Sequence, residues 1–153
     1  MAEVDLLVKD ERWETLGLDL EGLSERALEE VALQLDLEDP TIVSVVLADD
    51  ALLQLLNRTY RHQDKPTNVL SFPNDSQAQK VSGELGELFL SLDTLKRECL
   101  MEAKSFEHHY MHLFIHGVLH LLGYDHENDE EAEEMEGLEV CILETLHIPN
   151  PYT

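Results

Sequence analysis

"TIVSVVLADDALLQLLNRTYR", residues 41–61, holds the transition that decides the fold. Its first eight residues are β-branched and apolar with no polar alternation, which predicts a strand covered on both faces. Pro40 precedes the run and marks where it starts. The next residues, Asp49 and Asp50, offer side-chain acceptors for the free N–H groups of a helix start, and a helix through "ALLQLLNRTYR" is expected. A buried strand passing directly into a helix predicts a sheet with helices packed on it.

The same pattern extends in both directions. "VDLLV" (4–8) reads as a short strand, and "SERALEEVALQL" (24–35) as a helix with Ser24 as its cap and Ala27, Leu28, Val31 and Leu35 as one apolar stripe. On the other side, "HQDKPTN" (62–68) is a polar loop broken by Pro66. "VLSF" (69–72) and "ELFLSL" (87–92) read as further strands, separated by the polar, glycine-containing stretch "NDSQAQKVSGELG". They are close enough in sequence for an antiparallel pair, and the first two helical connections suit parallel crossovers. From Asp93 onward the pattern is helical: one helix through "TLKRECLME", a second from about Ser105 to Leu122, and a third from Asp129 to about Leu146. The expected fold class is therefore α+β: a small mixed four-stranded sheet packed with about five helices, in a single domain over residues 1–153.

Composition narrows the setting. Hydrophobic residues make up 43% of the 153, enough for a folded core. No apolar run approaches the ~20 residues that cross a bilayer, and "MAEVDLLVKDERWE" has no signal-peptide core, so a cytoplasmic protein without a membrane partner is expected. Two cysteines, Cys99 and Cys141, sit in helical segments and are expected to be buried free thiols. The net charge is −23, which argues against broad, nonspecific nucleic-acid binding, DNA included. Yet residues 58–104 carry seven bases against seven acids, so a polyanionic substrate would meet the middle of the chain. The nine carboxylates of "DHENDEEAEEMEGLE" (125–139) read as the solvated face of the last helix, because Ala132, Met135, Leu138 and Ile142 keep a helical apolar spacing.

The chemistry concentrates in "HGVLHLLGYDH", residues 116–126. On a helix, His116 and His120 project side by side one turn apart. Gly123 follows, the residue type that ends a helix in a left-handed conformation, and beyond it "YDH" can fold back to bring His126 in from a third direction. Three neutral imidazoles suit one Zn2+ ion with its fourth position open, which is what a hydrolase needs. The spacing is that of zinc proteases reading HExxHxxGxxH, but Gly117 stands in place of their glutamate base, which argues against peptide hydrolysis. His112, one turn earlier, suits a supporting or packing role better than a fourth ligand, and Asp125 could orient an imidazole. His62, His108, His109 and His147 carry no such pattern.

These residues resemble the YbeY family of bacterial rRNA maturation endoribonucleases. "HGVLHLLGYDH" looks like its signature, "LNRTYRHQDKPTNVLSFP" (56–73) like its second block, "GELGELFLS" (83–91) like the strand that follows, and "MEGLEVCIL" (135–143) like its closing helix. After Gly86 the family more often has Asp than the Glu87 found here. The resemblance implies a zinc ion held by His116, His120 and His126. It also implies single-strand endoribonuclease activity in 16S rRNA 3′-end maturation and ribosome quality control, with rRNA and the ribosome or small-subunit proteins as partners. Arg61, in "TYRHQDKPT", would be the family's functional arginine beside the metal; a guanidinium there can hold a phosphate bidentately. Two other functions fit the residues less well: a metal hydrolase of another substrate, and a non-catalytic ribosome-assembly factor with a structural zinc.

Overall fold

The computed structural model describes residues 2–74 and 83–153. Thr41–Ala48 forms β2, the strand expected from its β-branched run, and nearly every residue of it is buried. It pairs in parallel with β1 (Ala2–Val8) on one side and with β4 (Glu84–Ser91) on the other. The short β3 (Val69–Pro73) runs antiparallel to β4 at the edge, giving the order β1-β2-β4-β3. Among the described residues, five α-helices and one 3-10 turn (Glu11–Leu16) accompany this sheet, as the α+β reading predicted.

The first helical connection, through α1 (Leu20–Gln34), joins parallel neighbours. The second, through α2 (Asp50–Arg61), does not: β4 lies between β2 and β3, and β3 points the opposite way to both. Local periodicity encodes which residues are strand, not which edge a returning strand takes. A register shift between Ile42, which pairs with Glu84, and Val43, which pairs with Gly86, marks a bulge at Leu85, whose carbonyl accepts the Asn74 N–H at 3.0 Å. The polar stretch between β3 and β4 lies mostly outside the described residues, and β4 begins at Glu84, earlier than its apolar pattern suggested.

Alternate residues of β2 serve two cores. Val43, Val45 and Leu47 join the larger cluster with α1 and α4 (Phe106–Leu121), whereas Val46 and Ala48 pack with Leu53 of α2 and Leu70 of β3. Trp13 seals one end of the larger core: its indole N–H donates to the Ala48 carbonyl at 2.9 Å, and its ring meets Phe106 and Tyr110 edge-on. The helix starts are capped as the sequence chemistry requires, by Asp49 for α2, Ser91 for α3 (Leu92–Glu102), Ser105 for α4 and Asn128 for α5 (Asp129–Thr145). Ser24 is the exception. α1 begins a turn earlier, capped by Asp19, and Ser24 is buried inside it, with its Oγ 2.7 Å from both the Leu20 carbonyl and the Tyr110 hydroxyl.

The cysteines are free, as expected, but neither is buried: Cys99 is half-exposed and Cys141 exposed. No helix among the described residues is long and apolar enough to cross a membrane.

Candidate metal centre

α4 is buried along most of its length, and this fixes the direction of its histidines. His116 and His120 occupy its half-exposed stripe, with their Nε2 atoms 3.1 Å apart. The helix ends as the glycine predicted. Gly123 has φ +100°, its N–H bonds the His120 carbonyl, and the Tyr124 N–H reaches the Leu119 carbonyl, both at 3.0 Å. That pair of bonds closes the helix and turns the chain back on itself. Asp125 then accepts the His126 backbone N–H at 2.8 Å, and the His126 ring comes to 5.7 Å from that of His116 and 5.2 Å from that of His120. Asp125 thus shapes the loop through the backbone rather than gripping an imidazole.

One nitrogen from each of His116, His120 and His126 lies within 4.8 Å of the others, a group able to hold a metal ion. Tetrahedral zinc with bonds of ~2.0–2.1 Å needs donors about 3.3 Å apart, a spacing close to the 3.1 Å between His116 Nε2 and His120 Nε2. Burial, reinforced by His116 and His126, pushes the His120 pKa down and keeps its ring in the neutral, ligating form. Among the described residues this group contains three side chains and neither cysteine.

Behind His116 stands a residue that the acidic run concealed. Glu139, on α5, is fully buried, with Oε1 3.2 Å from His116 Nδ1 and 2.8 Å from His112 Nε2. The Tyr152 hydroxyl donates to the same carboxylate, at 3.0 Å from Oε1 and 3.1 Å from Oε2. Burial alone would raise the Glu139 pKa, but the hydrogen bonds from His112 and His116 outweigh it and pull the value down to about 2. An ionised carboxylate only accepts, so both imidazoles must donate to it. The His116 proton therefore sits on Nδ1, leaving the Nε2 lone pair directed at His120 and at any shared ion. His112, buried one turn before His116, is a supporting residue and not a fourth ligand.

Most of the remaining acids of the run keep to the solvated face, with Asp125, Glu127, Asp129, Glu130, Glu133 and Glu134 exposed and Glu131 and Glu136 half-buried. Glu139 was legible in principle. It falls four residues after Met135 and three before Ile142, on the inward stripe, where a carboxylate is out of place unless it has a partner. Tyr152 lies past the last helix and has no periodic signal.

Arg61 ends α2 and lines a cleft of about 760 Å³ together with Ser71, Tyr124 and all three histidines of the triad. Its Nη2 donates to the Ser71 carbonyl at 2.9 Å, and its guanidinium carbon stands 5.1 Å from the centre of the Phe72 ring. One face and one N–H thus anchor it to β3. Among the described residues lining the cleft it is the only Lys or Arg.

Comparison with known proteins places this arrangement. The profile of the family described as Endoribonuclease YbeY matches residues 8–147. A protein of Dinoroseobacter shibae named Endoribonuclease YbeY is 41% identical over 99% of this chain and 91% of its own length. Proteins of the same name from Bradyrhizobium diazoefficiens and Chelativorans are 47% and 48% identical, over 88% and 87% of this chain and 76% and 83% of their own lengths. The solution structure of TM1509 from Thermotoga maritima shares the fold with a TM-score of 0.59 at 23% identity, covering 100% of this chain and 96% of that one. A family profile spanning most of the chain and relatives this similar over nearly its full length establish that the chain belongs to the Endoribonuclease YbeY family.

Proposed function

We propose that the chain is a zinc-dependent, single-strand-specific endoribonuclease acting on ribosomal RNA, in 16S 3′-end maturation and ribosome quality control in the cytoplasm, and that residues 1–153 work as one domain. The observation that carries the reading is the opening of three ligating histidines and the Arg61 side chain into one cleft. Family membership supports RNA as the substrate.

His116, His120 and His126 would hold a single zinc ion. When bound, zinc supplies Lewis acidity and a water whose pKa falls to ~7. The chain's own residues do the rest. Glu139 keeps the proton of His116 on Nδ1, so its Nε2 stays a donor to the ion. Arg61, anchored on β3, places a permanent positive charge in the cleft wall, where it binds a phosphate oxygen and stabilises the charge that develops as the attacking oxygen bonds to phosphorus. Two attacking groups suit such a site: a water, or the 2′-hydroxyl of the RNA itself. The second leaves a 2′,3′-cyclic phosphate, so product ends separate the routes.

Three protein ligands would leave a fourth position for water or substrate, which separates this reading from the structural-zinc alternative, since closed sites carry four protein ligands, often including cysteine. The test uses purified protein, zinc and an oligoribonucleotide of the 16S 3′ end, free or annealed to its complement. Cleavage of the free strand alone, lost in folded His116→Ala and Arg61→Ala variants, is the expected result. If both variants cleave at the wild-type rate, or the wild type leaves the RNA intact, the catalytic reading fails and the non-catalytic assembly factor takes its place.

A further inference from the structure

The segment after α5 closes over the metal centre from behind. Ile148 is buried in the core, the Asn150 side chain accepts the Tyr152 backbone N–H at 2.8 Å, and Lys104 Nζ donates to the Pro151 carbonyl at 3.3 Å. These contacts present the Tyr152 ring edge-on to His112, 5.5 Å between centres, with its hydroxyl on Glu139. Tyr152 also lines the small cavity that His116 and His126 share with Glu139.

We propose that Tyr152 is a positioning residue for the metal centre: its hydroxyl fixes the Glu139 carboxylate in the orientation that holds the ligating tautomer of His116. The inference rests on the zinc-site reading above. Its basis is the distribution of donors. Both histidines bond Oε1, and Tyr152 alone among the described residues bonds Oε2. The His116 bond is the longest of the contacts to this carboxylate, at 3.2 Å. Without the hydroxyl, Oε2 has no partner among the described residues, and the carboxylate can turn about its last torsion toward water. The tight His112 contact would survive that turn. The long His116 contact is the one lost, and with it the preference for a proton on Nδ1. Burial and the Glu139 charge both raise the Tyr152 pKa, so the phenol stays a donor across the working range.

Tyr152→Phe tests this, because the ring and its packing on His112 are kept while the donor is removed. Zinc affinity is measured by competition with a chromophoric chelator, and the His116 tautomer is read from ring 15N shifts in zinc-free protein. The expected result is zinc binding about 10-fold weaker, the lower end of what losing an orienting partner costs, with His116 shifting toward mixed tautomers. In a Glu139→Gln background the same substitution should change affinity less than about twofold, because the hydroxyl acts through that carboxylate. Wild-type affinity and unchanged His116 shifts in Tyr152→Phe overturn the positioning role alone. So does an affinity loss of equal size in the Glu139→Gln background. A wild-type protein that binds no zinc overturns the zinc-site reading and this inference together.

Discussion

Gly117 packs so closely against β4 that a Cβ built on it would stand 2.8 Å from Leu88 Cδ2 and 3.3 Å from Ser71 Oγ. Ser71 Oγ also donates to the Gly117 carbonyl at 3.0 Å, which binds α4 to β3 between the two helical histidines. The position that separates this motif from HExxH therefore faces the sheet, not the cleft. Gly117→Glu would not install a protease base. It would drive a carboxylate into the sheet contact and lower stability by about 3 kcal/mol or more, since overpacking alone costs about 1–3. Denaturant unfolding checks this; a folded Gly117→Glu protein of wild-type stability would refute the packing account.

Asp93 ties three elements together. It accepts from Arg12 Nη1 at 2.8 Å and from the Asp50 backbone N–H at 3.0 Å, at the start of α2. The Arg12 hydrogen bond, helped by the Asp50 N–H, holds its pKa below the ordinary value of 3.8 despite partial burial. A folded-state pKa below the unfolded one adds stability that is fully present above the unfolded value and is lost as pH falls through the folded one. Asp93→Ala should therefore melt a few degrees below wild type at pH 7. The gap should begin to close near pH 4 and vanish at lower pH. Melting curves across that range check it, and a gap that widens in acid would contradict the assignment.

Arg61→Ala should separate binding of metal from cleavage. Losing one charge-stabilising donor costs about 10²-fold in kcat, while zinc affinity should stay within about twofold, since no ligand is touched. Arg61→Lys should recover little of this, because an ammonium cannot reproduce both the Ser71 bond and stacking on Phe72. Single-turnover cleavage and zinc titration on the same preparations check both statements.

The charge of −23 bears on how RNA is held. With Arg61 the only Lys or Arg among the described residues of the cleft lining, the isolated protein should neutralise one or two phosphates. The log of its RNA association constant should then fall against log salt with a slope of about −0.7 to −1.4. Tight RNA binding by the intact protein would depend on ribosomal partners. A slope steeper than about −3 would place a basic track elsewhere on the molecule.

The elements and the histidine triad were legible because both rest on local spacing. The run of residues 41–48, the caps at Asp49 and Ser105, and the glycine-ended helix before His126 follow from chemistry within a few residues. What the sequence hid depends on tertiary contacts. Ser24 looked like a cap because a serine opens the helical pattern of residues 24–35, yet it faces Tyr110 across the core. Glu139 sat among eight other carboxylates and is set apart from those on α5 only by which way its face of the helix points. The position of β3 at the edge beyond β4 carries no local signal, though it is what brings Ser71, and through it Arg61, into the cleft.

The three imidazoles should share one ion. Equilibrium dialysis of the chelator-stripped protein against zinc, followed by melting, measures this directly. The prediction is one zinc per chain in the wild type and a melting point raised by about 5–10 °C at a hundredfold excess over Kd. His120→Ala and His126→Ala should each abolish both effects. Zinc bound equally by those variants, or a wild-type chain that takes up none, would contradict it.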